Sequence, residues 1–235
     1  MNSIEMKTKA QLLEQIKDLQ AQVDELTNYR KEHKEMEKIW DVLLNISKAV
    51  MKTKSISKLI IEIHKEVGKL MYAKNFYVCL VHDIDKNLFT FPYYKDVNEE
   101  DVEDPDEVME ITRGLTYHVM QTKELLLVNK KEIEKIGVVG TLPESWLGAP
   151  LITETGEILG VIAVQNYEKE EYTEKDAMVM SIIAGNIAGA LKYKKAQTAL
   201  QQSEAKFKDI TFSIGEWIWE VDQKGRYTYC SDKVD

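Results

Sequence analysis

The chain has 235 residues, with 31 Lys and Arg against 40 Asp and Glu for a formal net charge of −9, and 44% of its residues are apolar with only 11 Gly and 4 Pro. That balance excludes a chain disordered throughout, a collagen-like repeat and the basic face of a nucleic-acid binder. The two cysteines, Cys79 and Cys230, stand far apart and outside any CxxC, which excludes a disulfide scaffold or structural zinc site and suits a reducing cytoplasm. The charge is local, since residues 96–110 hold nine acids and no base. The longest uncharged run, Ala177 to Leu191, has 15 residues, short of the ~20 that span a bilayer, so this segment is expected to be cytoplasmic, without a membrane span or signal peptide.

In chain order, the first signal is a seam. Leu12, Ile16, Leu19, Val23 and Leu26 recur at alternating steps of four and three, with charged and amide residues between them. The frame continues through Arg30, His33, Glu37 and Trp40, so the seam weakens there. Residues 1–39 read either as a coiled-coil helix or as a surface helix packed on its own domain. Helical spacing persists from Ile39 to Met51 and from Ser55 to Met71, with Ile56, Leu59, Ile60, Ile63, Val67 and Leu70 on one stripe. Gly68 lies too deep in that stripe to be its stop, so the helix is expected to end at Ala73–Asn75.

The period then becomes two. Phe76–Val81 and Leu88–Tyr94 flank the turn chemistry of Asp83–Asn87 and predict a β-hairpin. Pro92 cannot donate to a ladder, so the second arm should lie at an edge or carry a bulge. The acidic run reads as a solvated loop or a lid. Gly114 opens a short helix over Leu115–Thr122; Leu125–Val128 reads as a brief strand and Lys130–Ile136 as a helical turn or two. Ser145–Ile152 and Ile158–Asn166 predict a second hairpin whose later arm, apolar on both faces, belongs at the centre of the sheet.

Thr173 and Asp176 form a helix-start signal, and no breaker follows before Gly215. This helix is apolar to Leu191 and polar from Lys192 to Lys208, the pattern of a connector. Gly185 and Gly189, beside Ala184 and Ala188, permit close helix–helix approach or packing on the domain's own sheet. Trp217–Val221 and Arg226–Cys230 around Asp222–Gly225 predict a last hairpin, marginal by itself.

The blocks Gly114–Thr122, Leu125–Val128, Ser145–Leu151, Gly160–Gln165 and Tyr172–Asp176 resemble, in order and spacing over about residues 40–193, the GAF domain of bacterial multi-sensor signalling proteins. Gln201–Lys208 and the Trp-rich hairpin resemble the opening of a PAS domain. The resemblance implies an α+β fold: an antiparallel sheet with flanking helices, an N-terminal coiled-coil helix and a long C-terminal signalling helix. It implies coil at 1–39, a sensor domain at 40–193, a linker helix at 194–210 and the start of a PAS-like domain at 211–235. It also implies a homodimer through the N- and C-terminal helices, with a small ligand whose occupancy is relayed to a PAS module and then a histidine kinase or diguanylate cyclase. The alternatives are a structural GAF spacer without ligand and a GAF-type methionine sulfoxide reductase. The chain holds no GxxxxGK[ST] loop, kinase nucleotide motif or cyclase signature, so this segment is not expected to be an enzyme.

In the resembled family the pocket lies between the sheet and the short helices on one face. Carried over by position, its walls would come from Phe89, Phe91 and Tyr93, from His118 and Val119, from Trp146 and from Val164. Strand alternation sets Phe89, Phe91 and Tyr93 on one side, a stripe that reads equally as plain core. The residues specify neither ligand nor cofactor. His118 stands alone and reads as a haem ligand, a polar pocket group or an ordinary, partly exposed histidine. His33, His64 and His82 read as solvated. Cys79, mid-strand and without a second cysteine in the domain, reads as a buried inert thiol rather than a chromophore attachment or a nucleophile. The acidic run contains no glycine and so no EF-hand frame, and no metal site is expected.

Overall fold

The computed structural model describes residues 9–53, 55–98, 104–169, 172–214 and 219–230. The chain begins with one uninterrupted helix, α1 (Lys9–Lys52), as expected where no Gly or Pro intervenes. Residues 11–34 lie fully on the surface. The seam residues Leu12, Ile16, Leu19, Val23 and Leu26 are 49–64% exposed. Burial begins at Ile39, and Val42, Leu43, Ile46 and Val50 then face inward.

Helix α2 (Ile56–Val67) starts at Ser55, whose hydroxyl accepts from the Lys58 N–H, and buries Leu59, Ile60, Ile63 and Val67. It ends well before Ala73–Asn75. The Gly68 N–H still reaches the His64 carbonyl, but Lys69 and Leu70 close on Glu66 and Val67 three residues back, and the helix tightens to a stop. The Ala73 carbonyl, where the end was expected, is instead taken by the His64 ring at 2.5 Å.

Strands β1 (Asn75–Asp83) and β2 (Leu88–Lys95) form the first hairpin, and β3 (Val108–Glu110) adds a short edge that the acidic composition did not signal. Helix α3 (Leu115–Thr122), strand β4 (Leu126–Asn129) and helix α4 (Lys130–Ile136) lead to β5 (Ser145–Ile152) and β6 (Ile158–Asn166). The six strands form one antiparallel sheet in the order β3-β2-β1-β6-β5-β4. β6 is central and buried along its whole length. Gly160 lets it close on β1, since a Cβ there would fall 2.1 Å from the Cys79 carbonyl oxygen.

Of the edge position or bulge expected at Pro92, the bulge is present. Val78 opposes Tyr93 and Leu80 opposes Thr90, so Phe91 and Pro92 together face Cys79. β3 pairs only with Leu88–Thr90, which leaves Pro92 on an unpaired margin. The extra residue reverses the alternation: Phe89, Phe91 and Tyr94 share one face, while Tyr93 turns to the other.

Thr173 and Asp176 cap α5 (Glu174–Ile214) reciprocally, the Asp176 carboxylate accepting from the Thr173 N–H at 2.8 Å. Its inner stripe, including Met180, Ile183, Ile187 and Leu191, shares a core with α1, α2 and one face of the sheet. The opposite face of the sheet packs under α3 and α4 around Phe89, Val119, Ile133 and Trp146. Gly185 and Gly189 look away from the sheet, with nothing within 4 Å of a Cβ at either site. An ion pair joins Glu35 to Lys175, fixing the point where α1 reaches the domain beside the start of α5. From Lys195 to Ile210 no α5 residue is buried.

A separate hairpin, β7 (Trp219–Val221) with β8 (Tyr227–Cys230), follows; Trp217 and Ile218 of its expected first arm lie outside the described residues. No helix among the described residues is long and apolar enough to cross a membrane.

Candidate functional site

A pocket of about 480 Å³ opens on the α3/α4 face of the sheet, a volume within the usual range for small-molecule sites. Its floor is Trp146. The indole lies back along β5 over Gly148, where a Cβ would sit only 2.0 Å from the ring, so the missing side chain is what lets the tryptophan lie flat. Trp146 is 1% exposed. Its Nε1–H donates to the Tyr77 hydroxyl at 3.1 Å, and that hydroxyl lies 2.8 Å from Thr116 Oγ1, tying β5, β1 and α3 together.

One wall is aromatic. Tyr77 and Tyr94 stack at 5.4 Å, and Phe91 meets Tyr94 edge-on at 6.0 Å and 80°. The rim is the β3–α3 connection, Met109 to Thr116, with Val138, Val139 and Thr141 beyond α4. Glu110 and Arg113 stand on this rim, both exposed, and neither makes an ion pair with another described residue.

Gln165 reaches the pocket from β6. Its Nε2 donates to the buried Asp96 carboxylate, which also accepts from the Tyr167 hydroxyl at 2.8 Å and, through its other oxygen, from the Asn98 N–H. Asn75 completes the bracket, accepting from the Val97 N–H at 2.9 Å and donating to the Gln165 carbonyl. The acidic run is thus fastened at its start to the strand that supplies the pocket's polar group.

The structure brings Phe91 and Trp146 to the pocket lining. Phe89 and Val119 lie on the same face but are fully buried in the core beneath. Tyr93 and Val164 are corrections, both placed on the opposite, helix-packed face. For Tyr93 the Pro92 bulge is the cause. Val164 sits on a strand buried on both faces, where alternation gives no sign of side, and its neighbour Gln165 points to the pocket. His118 is half-buried on α3 and outside the lining, so an iron in this pocket would find no imidazole there. Among the described residues no group of three or more His, Cys, Asp or Glu is placed to hold a metal.

His64 is a further correction. It is clamped rather than solvated: Nε2–H donates to the Ala73 carbonyl, so Nδ1 of the neutral ring accepts from the Tyr93 hydroxyl at 2.8 Å. The ring stacks on Phe76 at 4.6 Å and 8°. Loss of hydration holds its pKa below the usual histidine value, and Lys95 adds to the effect against the opposing hydrogen bond to Ala73. Cys79 is wholly buried below the pocket, and burial pushes its thiol pKa far up.

Tyr77, Tyr94, Gln165 and the Glu110–Arg113 rim are pocket residues that sequence reasoning missed. Two signals bear on them: Pro92 signals an edge or a bulge, and a bulge sets Tyr94 rather than Tyr93 beside Phe91; and a lone glutamine in an apolar central strand asks for a reason.

A six-stranded antiparallel sheet with a helical layer on one face and a roofed hollow on the other defines the α+β pocket domains. The chain belongs to the GAF domain family, whose sequence pattern matches residues 53–192, and such domains are commonly sensory or signalling modules. Solved structures of the same fold include the GAF domain of an Acinetobacter phosphoenolpyruvate-protein phosphotransferase, 18% identical with a TM-score of 0.56 over 68% of this chain and 97% of that one. The A. aeolicus nlh2 GAF domain in an inactive state is 16% identical with a TM-score of 0.54 over 68% and 99%. Free methionine-R-sulfoxide reductase from Neisseria meningitidis, in complex with its substrate, is 13% identical with a TM-score of 0.56 over 68% and 91%. No curated protein matches the chain.

Proposed function

We propose that this segment is a sensory module: a small molecule occupies the pocket over Trp146, and a dimer of the chain relays occupancy along α1 and α5 to a PAS-like module and an output kinase or cyclase. The observation that carries the reading is the position of the pocket on a sheet whose other face holds both helices. Gln165 and Trp146 face the hollow, while their strand neighbours Val164 and Leu147 pack into the layer shared with α1, α2 and α5. A ligand that shifts β5 or β6 therefore acts on the helix packing, provided it binds one helix arrangement better than the other. The dimer reading is supported by the exposed seam of α1 and by the outward Met178, Ile182, Gly185 and Gly189 of α5. The protonated, inaccessible thiol of Cys79 favours sensing over the sulfoxide-reductase alternative.

Native mass spectrometry of freshly purified chain tests the pocket. A co-purifying small molecule, lost in Trp146→Ala, is expected; a bare protein that also stays bare against a metabolite library supports the ligand-free spacer instead. Sedimentation tests the dimer: Leu19→Ser with Leu26→Ser and Trp40→Glu is expected to give monomers, and a monomeric parent chain at high micromolar concentration would sink the relay.

A further inference from the structure

Taking the pocket to be a ligand site, as proposed above, we infer that its ligand is a small zwitterion, an α-amino acid with an apolar side chain. Three observations select this class. The first is a pair of charges of opposite sign, Glu110 and Arg113, on one short stretch of rim, neither in an ion pair with another described residue. A guanidinium binds a carboxylate through two parallel hydrogen bonds, and a carboxylate takes an ammonium, so the rim matches a molecule bearing both groups.

The second is the wall. The faces of Phe91 and Tyr94 turn at right angles to one another, and Tyr77 stacks beside Tyr94, above the flat indole of Trp146. Such a corner receives an apolar side chain and, at its edge, attracts an ammonium through the ring quadrupoles. The third is the local field. Asp104, Asp106 and Glu107 lead directly into β3 at the pocket mouth, and Asp96 holds the pocket residue Gln165. One arginine cannot reverse a field of that sign, so nucleotides and dicarboxylates are repelled while net-neutral or cationic molecules are not. Of net-neutral small molecules, a zwitterion is the kind that brings an opposite charge to both Glu110 and Arg113.

Titration calorimetry of the full chain tests this with L-leucine and L-phenylalanine, each paired with its decarboxylated amine and its deaminated acid, and with cyclic AMP as the anionic control. At least one amino acid is expected to bind, with each of its truncated partners weaker by about tenfold or more. Arg113→Gln should weaken the amino acid by a similar factor and leave the amine unchanged; Glu110→Gln should weaken it and leave the acid unchanged. Both positions are exposed on the rim, so neither variant endangers folding. The inference is overturned if cyclic AMP or the deaminated acids bind more tightly than the amino acids, if either rim variant leaves amino-acid affinity intact, or if no amino acid binds at millimolar concentration. In those cases a different co-purifying molecule in the native mass spectrum keeps the pocket reading alone; its absence removes that reading as well.

Discussion

Replacing Gly148 by alanine tests the architecture of the pocket floor. The new Cβ would lie 2.0, 2.6 and 2.7 Å from Trp146 Cη2, Cζ3 and Cζ2, whereas carbon atoms settle at about 3.5–4.0 Å. The indole must therefore withdraw by roughly 1.5 Å. It is nearly inaccessible and packed in the layer below α3 and α4, so moving it breaks the hydrogen bond to Tyr77, worth about 1 kcal/mol. Overpacking that layer adds about 1–3 kcal/mol, for a total near 2–4 kcal/mol. Urea unfolding followed by far-UV circular dichroism measures the loss, and the decisive comparison is the same substitution made in Trp146→Ala. There the methyl group enters vacated space, and the cost should fall below about 0.5 kcal/mol. Equal cost in both backgrounds would show that Gly148 is required for something other than the tryptophan, and the reasoning would be refuted.

Gly160→Ala should be worse, because its Cβ meets the Cys79 carbonyl oxygen at 2.1 Å and backbone cannot swing aside; a loss above about 4 kcal/mol is expected, and a thermal midpoint within a few degrees of the parent would contradict it. His64 predicts a pH dependence. Because its folded pKa is lowered, the unfolded chain binds the proton first; the ring's contribution is complete above the unfolded value of about 6.5 and is lost as pH falls from there toward the folded pKa. The slope is at most about 1.4 kcal/mol per pH unit, less for solvent screening of a half-buried ring, and His64→Phe should flatten the stability curve in that window, on top of a pH-independent loss of about 1–3 kcal/mol for the two hydrogen bonds it removes. Gln165→Leu removes a donor from the Asp96 carboxylate, a loss of about 1.5–3 kcal/mol, and hydrogen exchange should show the Val97 and Asn98 amides opening faster while the β5 amides stay protected.

Where one face of an element is wet and the other dry, the sequence states the outcome, and α2 and α3 are legible for that reason; α1 is legible from its lack of Gly and Pro, and the β1–β2 hairpin from the turn chemistry between its arms. So was the central place of β6, from apolarity on both faces; the same property hides which of its residues face the pocket, so Val164 was assigned where Gln165 belongs. Pro92 signals an edge or a bulge, but where in the ladder an extra residue falls is set by pairing with β1, so the exchange of sides between Tyr93 and Tyr94 is not legible from β2 alone. Val108–Glu110 carries no strand signal because a three-residue edge takes its order from β2 rather than from its own propensity. His64 looked like a solvated helix residue because its partners, Ala73 and Tyr93, lie 9 and 29 residues away and only the fold brings them near.

The uninterrupted run of α5 beyond the sheet turns residue number into an angle. The chain enters beside Lys175 and the helix is free of the domain by Lys195, twenty residues or about 30 Å farther along. Each residue inserted or deleted after that point turns whatever the helix carries by about 100° and shifts it by only about 1.5 Å. Removing seven residues restores the original facing to within about 20°, whereas removing two sends the cargo nearly to the opposite side. Under the relay proposed above, the polar stretch that looks featureless in composition would set the phase of what it carries, sensitive to length in steps of one residue and tolerant of change in steps of seven.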